Sequence, residues 1–372
     1  VSISDRFTNE EASVIKKLAD AMGAKTLCFN HVESGLKKVL GVDKSPNTMD
    51  ELLSTNVILV FGYIMEKNPV VQLKLKQAAE NGAKIYVINP VGVEVVNFDF
   101  AEKVIYTGNN LDALKEIAKY LVDEKDNLSL TNLLELKKSL ENVFVSDEIK
   151  EVASAYNNAK KAMIVFQENV LSVDAATMIG NIALVSNHIG APRDGIVQIK
   201  GKNNSQGLVD MGIDKGIEEM ANVKALLCFG EDPCVLGDDI LDNLEFVMTV
   251  DTHMTDTCKN SNVVLPGSGP MSVEGTYTNT DGRVQFVNKV IDENIEFNNE
   301  ELARKIASVY EVDLYKVVTK APLKENVVES LVVVGDNVVV DVHKCCDNLM
   351  NVIDNRLPKQ AKQSEKVSLA EA

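Results

Sequence analysis

Apolar residues along this chain fall into two patterns. The first is a set of short runs, unbroken except at Thr249: Val57–Phe61, Ile85–Ile88, Ala162–Phe166, Ala225–Phe229, Phe246–Val250 and Val263–Leu265. Runs of this length, bounded by Gly, Asn, Asp or Pro, predict strands buried on both faces. Val1–Ser4 and Val104–Tyr106 predict two shorter strands. The second pattern is helical spacing. Thr8 followed by Glu11 predicts a capped helix whose inner face is Ala12, Ile15, Leu18, Ala19 and Met22. Further helices are predicted over 70–81, 111–140, 147–159, 175–186 and 300–309. Strand and helix in alternation predict right-handed crossovers and doubly wound parallel sheets, which bind ligands beyond the carboxyl ends of their strands. Leu331–Val340 predicts a β-hairpin, and the polar stretch from Pro358 a disordered tail.

One stretch fits neither pattern. Lys200–Gly212 has no apolar period and is dense in Gly, Asn and Gln. Glycine admits backbone turns that a Cβ forbids, and amides both donate and accept. The run predicts a loop, either solvated or lying on a polar ligand or a facing domain.

Composition narrows the partners. The chain has 372 residues, 45% of them hydrophobic, which is enough for two domains with proper cores. Its formal charge of −17 argues against nucleic acid and anionic membrane surfaces, which attract basic faces. No apolar run approaches the roughly 20 residues that span a bilayer. Six cysteines, none in a Cys-x-x-Cys pair, read as reduced thiols of a cytoplasmic protein. The chain opens on Val1 without a signal pattern, which suggests a piece of something longer.

The run Lys200–Gly212 resembles the Arg-Gly-Gln-Asn-Asn-x-Gln-Gly-x-x-Asp-Met-Gly segment of the molybdopterin oxidoreductase family, as found in formate dehydrogenase catalytic subunits. Two further stretches agree in order: Asp251–Thr257 with Asn262–Pro266, and Glu274–Gln285. The same segments occur in the large iron–sulfur subunit of NADH dehydrogenase (complex I), a homologue that usually lacks the metal. The resemblance extends from Val1 to about Val290. It implies two Rossmann-like α/β domains with doubly wound parallel sheets. Residues 1–28 and 201–325 would form one, and 29–200 the other, inserted within it. A β-hairpin and helix extension would occupy 326–357 and the disordered tail 358–372, leaving no room for the family's C-terminal barrel.

The resemblance also assigns site residues. Cys28 falls where formate dehydrogenases carry the cysteine or selenocysteine that binds molybdenum or tungsten. It is either that ligand or a half-buried free thiol at a vestigial site. Lys200 stands at the family's substrate-orienting arginine; it keeps the charge but loses the planar fork that grips a carboxylate. Phe29 replaces the histidine that follows the metal-binding residue. The residues matching a pterin-dinucleotide site are Gly62, Asn203, Asn204, Gln206, Gly230, Glu231, Asp232, Asp251, Thr276 and Asn279. Other turns depart from the pattern. Ile64, Asn89 and Val91 replace Asn, Asp and Arg, and Gln167-Glu168-Asn169 replaces a Gly-rich turn, with Glu168 positioned to repel phosphate.

Two functions follow. One is a degenerate, structural cofactor domain in the large subunit of an NADH dehydrogenase- or hydrogenase-type assembly, inactive alone and partnered by other subunits. The other is an active oxidoreductase of the formate dehydrogenase type, carrying molybdopterin guanine dinucleotide with Mo or W. In the first, that cofactor has been lost. In either, iron–sulfur clusters come from an upstream region or from partners, since this chain lacks their ligands.

Overall fold

A computed structural model describes residues 1–309 except 63–67, 93–94, 96–97 and 126–129. The predicted hairpin, the extension, the tail, Cys345 and Cys346 therefore lie outside the described residues, as do Tyr63 and Ile64. The chain divides into two compact units. Among the described residues, one contains 1–33 and 202–309; the other contains 34–201.

The first unit is built on a four-stranded, fully parallel sheet. Its order is β1 (Ser2–Ile3), β7 (Ala225–Phe229), β8 (Phe246–Asp251), β9 (Val263–Pro266). Helix α1 (Asn9–Ala21) starts at the predicted capping box: the Thr8 side chain takes the Glu11 N–H, and the Glu11 carboxylate takes the Thr8 N–H. Its buried face, with Leu302 and Ala303 of α10 (Asn299–Val309), packs against Ile3, Phe229 and Val250. Leu27, Leu226, Cys234, Leu241 and Val247 form a smaller cluster under short 3-10 turns at 233–236 and 238–241. A two-stranded antiparallel ribbon, β10 (Gly275–Thr278) and β11 (Val284–Val287), completes the unit.

The second unit has a five-stranded parallel sheet. Its order is β4 (Lys103–Thr107), β3 (Lys84–Pro90), β2 (Val57–Phe61), β5 (Ala162–Gln167), β6 (Gly195–Ile199). Successive side chains leave a strand on opposite faces, so apolar runs bury both. Leu59, Phe61, Ile164 and Phe166 join α2 (Gly35–Leu40), α4 (Asn110–Asp123), α6 (Asp147–Asn157) and α7 (Val173–Ser186). Ile58, Val60, Met163 and Val165 join α3 (Pro69–Glu80) on the other side. Both units are thus α/β with parallel sheets. No sheet closes into a barrel among the described residues.

The largely helical stretch 111–140 is two helices: α4 stops at Asp123, and a short α5 (Leu133–Ser139) begins from Asn132 in the left-handed region. One expectation needs correction. The run Lys200–Gly212 is not all loop, because Ser205–Asp210 forms a short helix, α8, with Leu208 and Val209 buried. Two apolar residues were too few to show a helical period.

Candidate functional site

The carboxyl ends of the first unit's strands open into a cleft of about 650 Å³, within the size range of small-molecule sites. At the tip of β7, Gly230 takes φ +69°, and a Cβ there would stand 2.6 Å from the Phe7 ring. Only glycine lets the chain turn so close to that ring. Asp251 ends β8 and accepts the His253 N–H at 3.1 Å. Arg6 and Lys202, both exposed, bring positive charge to the same cleft, and Tyr277 of β10 forms part of its wall. Arg6, Lys202 and Tyr277 were not singled out from sequence. Arg6 carried a signal, since it lies just beyond a strand, where doubly wound folds bind ligands.

Glu231 lies in this cleft but is 5% exposed. Its Oε1 accepts the Phe29 N–H at 2.8 Å and the Cys28 thiol at 3.4 Å. Burial first, then the nearby Asp5 charge, push the Glu231 carboxyl up to about 8. Cys28 beneath it is 3% exposed and belongs to the apolar cluster around Ile3 and Phe229. Burial, then the Glu231 and Asp5 charges, push its thiol well above the ordinary cysteine value. A thiolate ligand needs the opposite environment.

Most of the remaining candidates hold the unit together. Asn204 is fully buried; its Nδ2 donates to Phe7 O at 2.8 Å, and its Oδ1 accepts the Thr278 N–H at 2.8 Å. It clamps the loop after β1 to β10. Thr276 donates its N–H and its hydroxyl to Glu10 at 2.7 and 2.9 Å. Gln206 reaches Asp210 within α8. Asn203 bonds the Tyr277 hydroxyl. Asn279 accepts the Arg283 N–H and shapes the turn of the ribbon. Asp232 lines the cleft, yet its Oδ1 accepts both the N–H and the hydroxyl of Thr257, at 3.0 and 2.6 Å, in α9 (Asp256–Lys259).

Gly62 and Lys200 belong to the second unit. Gly62 follows β2 at φ +84°. The Lys200 side chain is 2% exposed, with Nζ 2.5 Å from Asp43 Oδ1 and 2.6 Å from Glu168 Oε2. Gln198 Nε2 donates to the same two carboxylates. Burial alone would lower the Lys200 ammonium, but Glu168 and Asp43 hold it above the ordinary lysine value. Glu168 therefore lies within a buried ion cluster, not on an open turn where it would repel phosphate.

Among the described residues, no group of three or more His, Cys, Asp or Glu is placed to hold a metal ion, and no helix is long and apolar enough to cross a membrane.

Comparison with known proteins places these features. The F420-dependent formate dehydrogenase 2 subunit alpha of Methanococcus maripaludis is 26% identical, over 77% of this chain and 53% of its own. Formate dehydrogenase H of Escherichia coli is 23% identical, over 70% of this chain and 46% of its own. The NADPH-Fe(3+) oxidoreductase subunit alpha of Geobacter sulfurreducens is 23% identical, over 77% and 42%. The chain thus spans about half the length of the curated relatives it matches. Two solved structures share the fold. Acetylene hydratase from Pelobacter acetylenicus aligns with TM-score 0.55 and 16% identity, over 80% of this chain and 50% of its own. A chain of the formyltransferase/hydrolase complex from Methylorubrum extorquens aligns with TM-score 0.57 and 12% identity, over 83% and 90%. The family model for molybdopterin oxidoreductases matches residues 1–300, and this chain belongs to that family.

Proposed function

We propose that this chain is a structural cofactor domain in the large subunit of a cytoplasmic electron-transfer assembly of the NADH dehydrogenase or hydrogenase type. It works beside other subunits and does not itself carry out metal-centred catalysis. Relatives named as alpha subunits support the assembly context.

The observation that carries this reading is the Cys28–Glu231 contact. A molybdenum or tungsten ligand at this position must be a thiolate directed at an open coordination site. Cys28 instead donates its proton to a buried acid, with a second acid nearby, inside an apolar cluster. The donor set does not fit the metal. The first unit's cleft does fit a nucleotide. Arg6 and Lys202 match phosphate, and Asp251 at a strand tip matches a ribose diol. A pterin dinucleotide bound for structure alone would use these groups.

One set of observations favours a second reading, an active formate dehydrogenase-type enzyme: the cleft itself, together with relatives that are named formate dehydrogenases. Formate-dependent dye reduction separates the two. The full-length protein and its Cys28→Ala variant, produced in a host that makes the pterin, should both give background rates. Formate-dependent turnover that Cys28→Ala abolishes would establish the second reading.

A further inference from the structure

The ribbon of the first unit has one closed edge and one open edge. Its register pairs Gly275 with Val287, Thr276 with Phe286, Tyr277 with Gln285 and Thr278 with Val284. The Asn279 N–H donates to Arg283 O at the turn, so 279/283, 277/285 and 275/287 are the hydrogen-bonded pairs. Thr276 and Thr278 therefore aim their N–H groups away from β11, where Glu10 and Asn204 accept them at 2.7 and 2.8 Å. By the same alternation, the N–H and C=O groups of Val284 and Phe286 point away from β10. No hydrogen-bond partner meets them among the described residues.

An open edge is a template for another strand, and proteins blunt such edges with Lys, Pro, a bulge or a cover. Strand β11 reads Val-Gln-Phe-Val and has none of these. Val284 and Phe286 share one face and are 38% and 62% exposed. The sequence around Gln285 is also self-complementary. An antiparallel copy of the strand, centred on Gln285, sets Val284 opposite Phe286 and Phe286 opposite Val284. Apolar cross-strand pairs of this kind stabilise a sheet. Asp281 lies as far before Gln285 as Lys289 lies after it, so the acid of each copy faces the base of the other. Lys289 meets Asp292 in an exposed ion pair, which is weak enough to exchange.

We propose that β11 is a self-association edge: two copies of this chain pair their β11 strands antiparallel about a two-fold axis at Gln285, joining the two ribbons into one sheet. The backbone groups of Val284 and Phe286 then satisfy those of Phe286 and Val284 in the other copy, as a closed isologous contact requires. The contact is short, so the pairing is weak and depends on concentration. The inference is independent of what the cleft binds.

Two measurements on the whole chain test it. Sedimentation velocity should show a monomer–dimer equilibrium, run at a salt concentration of about 0.15 M so that repulsion between two chains of charge −17 is screened. A chain still monomeric at about 1 mM overturns the proposal and leaves the edge to some other strand. Phe286→Glu should raise the dimer dissociation constant about tenfold or more, because it acts on both copies. A dimer that this substitution leaves unchanged overturns the proposal. The register is read by crosslinking. Opposed residues of a non-hydrogen-bonded antiparallel pair lie about 4.5 Å apart at Cα, within disulfide reach. Gln285→Cys should therefore form an intermolecular disulfide under mild oxidation, absent from the wild type and much faster than in Lys289→Cys. Equal rates at the two positions overturn the two-fold pairing. If Phe286→Glu does not fold, the wild-type equilibrium and the crosslinking still decide.

Discussion

Replacing Glu231 with Gln should make the first unit less sensitive to alkaline pH. Gln keeps the carbonyl oxygen that accepts from Phe29 and Cys28 but has no proton to lose. In the wild type the folded carboxyl titrates at about 8, against 4.5 for an unperturbed glutamate. The folded form therefore holds a proton that the unfolded form has released. Stability is fully present below 4.5, falls as pH rises, and stops falling above about 8. Each pH unit in that window is worth about 1.4 kcal/mol, so the whole loss approaches about 5 kcal/mol. Part of it has already occurred by pH 6, which leaves about 2 to 3 kcal/mol between pH 6 and 9. Hydrogen exchange of β7 and β8 peptides at increasing urea concentration, in both proteins at both pH values, isolates this contribution. The difference in opening free energy between Glu231→Gln and wild type should grow by that amount. A difference constant to within about 0.5 kcal/mol, less than one pH unit is worth, would refute the buried-acid argument.

Other substitutions test the rest of the account. Asn204→Ala leaves Phe7 O and the Thr278 N–H without their partner, at about 1 to 3 kcal/mol each, and should lower the first unit's urea midpoint while sparing the second unit. Gly207→Ala should also destabilise that unit, because a Cβ there meets the amide oxygens of Asn204 and Asn9. Lys200→Met should cost the second unit about 3 to 5 kcal/mol, since it strands two buried carboxylates, and adding Glu168→Gln and Asp43→Asn should recover much of it. No recovery in the triple variant would show that the cluster is not held by charge.

The sheets were legible because the central strands are dominated by apolar runs, broken in β8 only by Thr249, and the Thr8 cap because its two residues lie three apart. Strand β6 was missed: it leaves the Gly190–Gly195 turn directly, and Gln198, buried against Glu168 and Asp43, interrupts its apolar run. Helix α2 has only six residues, too few to display a period. In the ribbon, β10 reads Gly-Thr-Tyr-Thr with little apolar signal, and β11, Val-Gln-Phe-Val, is only four residues long. The site was harder still. The family signature around Asn204 was legible as a motif but not as a clamp, because its partner Phe7 is 197 residues away. Lys200 and Asp43 are 157 apart. Residue type could suggest an anion site at Lys200, whereas only the fold reveals which carboxylates reach it.

The central claim is that Cys28 is a buried thiol and not a metal ligand. The most direct test is mass-spectrometric metal analysis of the full-length protein, made in a pterin-producing host supplied with molybdate and tungstate, beside its Cys28→Ala variant. The account predicts no more than trace Mo and W, unchanged by the substitution. Near-stoichiometric metal in the wild type, lost in Cys28→Ala, would contradict it.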